Sequence, residues 1–146
     1  MDALNAHFQD LLAQRQFPLK TTVTPEGIQY QGRLGLDETK TVDFKIHIPR
    51  SETREVVQIV FEHLATCIDV SQRQNWLAYL NDVNTQHGVS YYFCLREDNE
   101  VFARYILPVD PDRTEVILEL LQIGGHLVRT LRLDQFQIEE DSNHLP

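Results

Sequence analysis

Apolar and polar positions along this chain change period several times, and each change marks a new element. In residues 2–16, Leu4, Phe8, Leu11 and Leu12 recur at helical spacing, with Asn5, Gln9 and Arg15 around the other side. That pattern predicts an amphipathic helix. Pro18 ends it, because the residue before a proline is pushed out of helical torsions. A period of two then takes over. "LKTTVT" (19–24), "IQYQGRLGL" (28–36) and "TVDFKIHI" (41–48) read as strands, separated by the turn "TPEG" and the polar connection "DETK". In the last of them Val42, Phe44, Ile46 and Ile48 face one way, as in an antiparallel strand with one face in water.

The stretch "REVVQIVFEHLATCI" (54–68) fits two periods. Val56, Ile59, Val60 and His63 suit a helix, but five of the six residues 56–61 are β-branched or aromatic, which favours a strand. Residues 69–88 return to helical spacing, with Asp69 or Ser71 as the cap, Gly88 as the stop, and Trp76, Leu80 and Val83 on one face beside Leu77. "VSYYFCLR" (89–96) and "EVFARYILP" (100–108) are two strands joined at "EDN". A long helix spans 110–133, with Asp110 as cap and Pro111 in the first turn. Its buried stripe is Val116, Ile117, Leu120, Leu121, Leu127, Val128 and Leu131. The order α-β-β-β-β-α-β-β-α predicts an α+β fold, an antiparallel sheet covered by helices on one face. Residues 1–132 form one domain, and the acidic, unpatterned stretch 133–146 reads as a loose tail.

Charge narrows the partners. The net charge is −9, with −2 on residues 1–73 and −7 on residues 74–146, and no lysine follows Lys45. An acidic surface repels phosphate backbones, so neither nucleic acid nor an anionic membrane is expected as a partner. No apolar run approaches the roughly 20 residues that span a bilayer, and the first residues lack the pattern of a secretory signal. A cytoplasmic location is the resulting expectation.

Candidate chemistry is sparse. Six histidines, His7, His47, His63, His87, His126 and His144, include no pair three to five residues apart, so no local metal spacing exists; His47 and His63 alone could meet across neighbouring strands. Four serines lie outside any nucleophile-elbow motif. Cys67 and Cys94 sit in apolar stretches as small core hydrophobes, with no CxxC spacing. "GRLG" (32–35) has the GxxG spacing of RNA-clamping loops but stands in strand-like, non-basic sequence. No enzyme activity, metal or cofactor is expected. Gly124, in "GGH" on the stripe of the last helix, either admits a close neighbour, such as a helix of a dimer mate, or kinks the helix.

The segment "LNDVNTQHGVSYYFCLREDNEVFARYILPVD" carries a family resemblance. Leu80-Asn81 and Asn84 at a helix end, a hairpin with an acidic turn, and Leu107-Pro108 before the last helix are similar to the YbjN-type proteins, known as sensory transduction regulators. "VQIVFEHLATCID" resembles that family's strand leading into the helix, and the likeness spans roughly residues 40–130. The resemblance implies a fold like that of type III secretion chaperones, a homodimer that binds a protein segment, and no catalytic residues.

The expected activity is therefore a non-enzymatic, chaperone-like regulatory module that binds a protein or peptide. Its surface would be the sheet face or edge left bare by the helices, including Tyr91, Phe93, Phe102 and Tyr105, unless these aromatics form the core. Asn81 and Asn84 are either ligand contacts or helix-end residues that bond the next loop. The rival is a small-molecule sensor or enzyme with a polar pocket near Asn81, Asn84 and His87.

Overall fold

A computed structural model describes residues 2–50, 56–87 and 90–136. Nine helices and strands of more than three residues follow one another: α1 (Ala3–Gln14), β1 (Lys20–Val23), β2 (Gly27–Gly35), β3 (Thr41–Pro49), β4 (Val56–Thr66), α2 (Arg73–His87), β5 (Tyr92–Leu95), β6 (Glu100–Pro108) and α3 (Glu115–Leu131). The six strands form one sheet in the order β1-β2-β3-β4-β6-β5, every neighbour antiparallel. The α+β order expected from the periodicity is the observed one. The ambiguous stretch after residue 55 is a strand at the centre of the sheet, where β-branched side chains pack well.

Val42, Phe44, Ile46 and Ile48 of β3 join Val57, Ile59 and Phe61 of β4 and Val101, Ala103 and Leu107 of β6 in one core. α1 contributes Leu4, Phe8 and Leu12, with the Phe8 ring edge-on to Tyr30 at 4.9 Å. Asn5, expected on the solvent side of α1, is instead fully buried. Its amide oxygen accepts from the Tyr30 hydroxyl at 2.8 Å and its amide nitrogen donates to Asp2 at 2.8 Å, which satisfies the buried polar atoms. α3 crosses the same face at Gly124. A Cβ there would lie 2.4 Å from the Phe61 ring and 2.6 Å from that of Tyr91. The glycine thus admits the chain's own sheet.

Element ends differ from the sequence reading in two places. α1 stops at Gln14 because Gln16 takes a left-handed conformation (φ 51°), with Gln16 N–H bonded to Ala13 and Phe17 N–H to Leu12 in a Schellman arrangement. α3 starts at Glu115, with Thr114 in the N-cap position but making no side-chain cap bond; Asp110–Arg113 form a separate turn with Pro111 in its second position, where proline suits a β-turn. On α3, Leu118, Gly124 and Gly125 are buried, while Val116, Leu120, Leu127 and Leu131 pack half-buried at the margins. Gly88, expected to stop α2, lies outside the described residues, as does Ser51.

The packed domain also runs past residue 132. Leu133 is buried, and Phe136 stacks on Tyr79 with ring centroids 3.7 Å apart, so the expected tail boundary moves to at least residue 136. Residues 137–146 lie outside the described part. No helix among the described residues is long and apolar enough to cross a membrane.

Candidate functional site

The inward-facing rows of the sheet form the core with all three helices, and alternate residues on the other face have no helix above them among the described residues. Register places Tyr92 of β5 opposite Arg104 of β6, which stands opposite Val60 of β4 and, beyond it, Lys45 of β3. One row away Cys94 faces Phe102; on the other side Ile106 faces Gln58, then His47, then Gln29. The bare face is therefore graded. Its β5/β6 third carries Tyr92, Phe102 and Ile106, and its β3/β2 portion is polar, with Lys45–Glu62 at 3.3 Å and Arg33–Asp43 at 3.1 Å.

Exposure identifies which apolar groups are available. Tyr92 is 64% exposed and Ile106 50%, high values for side chains of this size. Phe102 is half-buried, with the Arg96 guanidinium 5.1 Å from its ring centre in a cation–π contact. Beside them, His47 Nδ1 is buried with no hydrogen-bond partner among the described residues.

Of the four aromatics expected on the binding surface, only Phe102 is there. Tyr91 and Phe93 are in the core, so both are corrections to that expectation. The Tyr91 hydroxyl donates to the Leu120 carbonyl at 2.8 Å, and burial raises its phenol far above the ordinary value. Tyr105 also turns to the covered side, its ring 5.5 Å from that of Tyr91. Sequence reasoning missed Tyr92 and Ile106. The available signal was parity: Val101, Ala103 and Leu107 are the small and aliphatic series of β6, which turns Phe102 and Ile106 outward together.

The asparagines separate as well. Asn84 meets β5 along its outer edge: its amide nitrogen donates to Phe93 O at 2.9 Å, and its oxygen accepts from Phe93 N–H at 2.7 Å. One side chain thus takes the place of a neighbouring strand. Asn81 is exposed, and only its backbone carbonyl is used, accepting from Thr85 Oγ1 at 2.8 Å. His87 is exposed on a shallow groove with Ser90, Glu119 and His126, which Asn81 and Asn84 do not line. The polar pocket expected around these three residues is not assembled.

The closest approach to acid–base machinery is at a bulge in β4, where the pairing with β6 shifts between Phe61 and Ala65 and His63 adopts φ 55°. His63 Nδ1 lies 2.9 Å from Glu100, and the Thr66 hydroxyl donates to the same carboxylate. These bonds, from Thr66 first and then His63, hold the Glu100 carboxyl below its ordinary range. A carboxylate stabilised in that way is a weak base, so its bond from the Thr66 hydroxyl does little to activate that oxygen as a nucleophile. His63 is displaced past the end of the β3–β4 ladder and does not meet His47, which faces Gln58. The described residues contain no cluster of three metal-ligating side chains. Cys67 and Cys94 are both free thiols; Cys94 lies beside Phe102 on the bare face, and burial raises its thiol.

A half-enclosed cleft of about 670 Å³ opens between the end of α1 and α3, with Phe17, Leu34, Leu118 and Leu121 on its walls and Arg15 and Arg129 at its rim. Compared with known proteins, the chain matches no protein family, and no curated protein matches it.

Proposed function

We propose that this chain is a non-enzymatic, cytoplasmic regulatory module that binds a protein or peptide segment and works as a homodimer, as its resemblance to the YbjN-type proteins implies. The observation that carries this reading is the bare face of the sheet. Tyr92, Phe102 and Ile106 form an apolar third there, next to Arg104 and the Lys45–Glu62 pair. Aromatic and aliphatic anchors beside charged neighbours are the usual composition of a protein-recognition surface. The polar constellations among the described residues support the same choice: the hydroxyls of Thr66, Ser71 and Thr39 donate to Glu100, Asp69 and Asp37, whose carboxyls are all held below the ordinary range and are weak bases.

Selection from a displayed library of random peptides tests the proposal. Binders to the wild-type protein should lose binding to Tyr92→Ala and Ile106→Asp, both of which change exposed positions and leave the core intact. Failure to recover binders, or binders indifferent to both substitutions, overturns it. A second reading, a small-molecule sensor, is favoured by the α1/α3 cleft, where apolar walls meet Arg15 and Arg129 and also Glu115 and Glu119, a mixed-charge lining that suits a zwitterionic amphipathic molecule. Peptides that are displaced by such a molecule, and not by each other, would favour it.

A further inference from the structure

The two edges of the sheet are treated differently. The β5 edge is closed: Asn84 occupies both the N–H and the C=O of Phe93. The β1 edge has no such cover among the described residues. All four residues of β1 are exposed, including Val23 at 67%.

Hydrogen-bond alternation shows which groups this edge offers. Thr24 and Gly27 exchange both backbone bonds across the β1–β2 turn. In an antiparallel ladder bonded and non-bonded pairs alternate. Thr22 therefore bonds inward to Gln29, and Thr21 and Val23, opposite Tyr30 and Ile28, point their N–H and C=O groups away from the sheet. No hydrogen bond among the described residues reaches these four groups. Pro18 and Pro25 bracket the segment and can donate nothing, so the open edge is short and uncharged at its centre.

We propose that β1 pairs with β1 of a second copy of the chain, antiparallel about a two-fold axis at Thr22, to give one continuous twelve-stranded sheet. This rests on the homodimer reading above and assigns its contact. In that register Thr21 faces Val23 of the second copy and Val23 faces its Thr21, so the outward groups of both copies satisfy one another with four hydrogen bonds. Neighbouring registers are worse. A two-fold at Thr21 moves the Lys20 side chains of the two copies closer together and calls on Leu19, whose carbonyl already accepts from the Thr21 hydroxyl. A two-fold at Val23 sets Pro25 where an N–H is needed. The Thr22 register places Lys20 opposite Thr24 and brings the exposed Val23 side chain beside Thr21 of the second copy.

Sedimentation equilibrium of the full chain over a range of protein concentrations tests the assignment on the wild type, Val23→Pro, Thr22→Lys and Ile106→Asp. Val23→Pro deletes an outward N–H and no ladder bond within the chain. Thr22→Lys sets like charges face to face at the two-fold and, at an exposed position, guards against a folding defect in the proline variant. The expected result is a wild-type dimer whose dissociation constant rises about tenfold or more in both β1 variants, two hydrogen bonds being lost per dimer in the first, and stays unchanged in Ile106→Asp. A wild type that remains monomeric overturns the assignment and the homodimer reading together, while peptide selection on the bare face stands as its own test. A dimer that survives both β1 variants overturns the assignment alone; its loss in Ile106→Asp would then move the contact to the bare face.

Discussion

Along β6, Val101 and Ala103 are sealed from water, while Ile106, on the same strand and the same backbone geometry, keeps half its surface. The two sides of the strand differ only in what covers them. On one side α3 lies close enough that Gly124 has no room for a Cβ; on the other no helix of the described residues lies above the sheet. A fold that needs only a stable sheet gains by filling the second face with polar and charged residues, as β2 does with Gln29, Gln31 and Arg33 and β3 with Thr41, Asp43 and Lys45. The β5/β6 end departs from that rule with Tyr92, Phe102 and Ile106. The lesson is that burial on the covered side accounts for stability, while the exposed apolar groups on the other side add little to it and are the ones proposed for recognition.

Substitutions can break this contrast, beginning with the largest effect. Phe61→Ala removes a fully buried ring from beneath Gly124 and should destabilise by about 3–5 kcal/mol, read as a fall in the urea midpoint. A loss below 1 kcal/mol would mean that α3 is not seated on the sheet as described. Asn84→Ala comes next. It strips two partly buried bonds from Phe93 and reopens the β5 edge, which should cost about 1–3 kcal/mol and increase aggregation, measured by light scattering. Unchanged stability with lost ligand binding would instead return Asn84 to a ligand site.

A pH effect is smaller and confined to acid. Asp37, bonded by Thr39, and Asp134, bonded by Arg132 and then Lys40, both have carboxyls held down at about 2. Lowered folded-state values mean that their contribution is complete above the unfolded value near 4 and is lost as pH falls from about 4 through 2. Arg132→Gln should flatten the fall in urea midpoint across that window by lowering the midpoint near neutral pH, where the bonds to Asp37 and Asp134 contribute in full, and leaving it little changed at the acid end. An equally steep fall in the variant would show that other carboxylates govern acid unfolding. Smallest of all is Ile106→Asp, expected within about 0.5 kcal/mol of wild type on the same urea measurement. A larger loss would show that the bare face contributes to the core.

Much of the fold was legible because burial in this chain follows its periods. Val42 to Ile48 alternate as a one-sided strand must, and Trp76, Leu80 and Val83 recur as a one-sided helix must. The strand identity of 56–66 could be read from β-branching alone. Side-chain bonds formed across space were illegible. Asn5 reads as a polar helix residue until Tyr30, twenty-five positions later, brings a hydroxyl to it. The candidate surface failed in a similar way: aromatic content pointed to β5 and β6, but which of two adjacent tyrosines faces outward depends on the register with β6, a non-local fact. Tyr91 went inside and Tyr92 outside.

The chain's one indole belongs to Trp76, which is 6% exposed and packs edge-on against Phe136 at 4.8 Å and Tyr79 at 6.1 Å. That placement gives the protein an intrinsic optical probe at the junction of its middle helix and the segment after its last one. Indole emission shifts to the blue in an apolar cage and to the red in water, so fluorescence follows the seating of Phe136 without any label. The urea and acid titrations described above can be watched through that single chromophore, which reports from the helix side of a sheet whose bare face lies on the other.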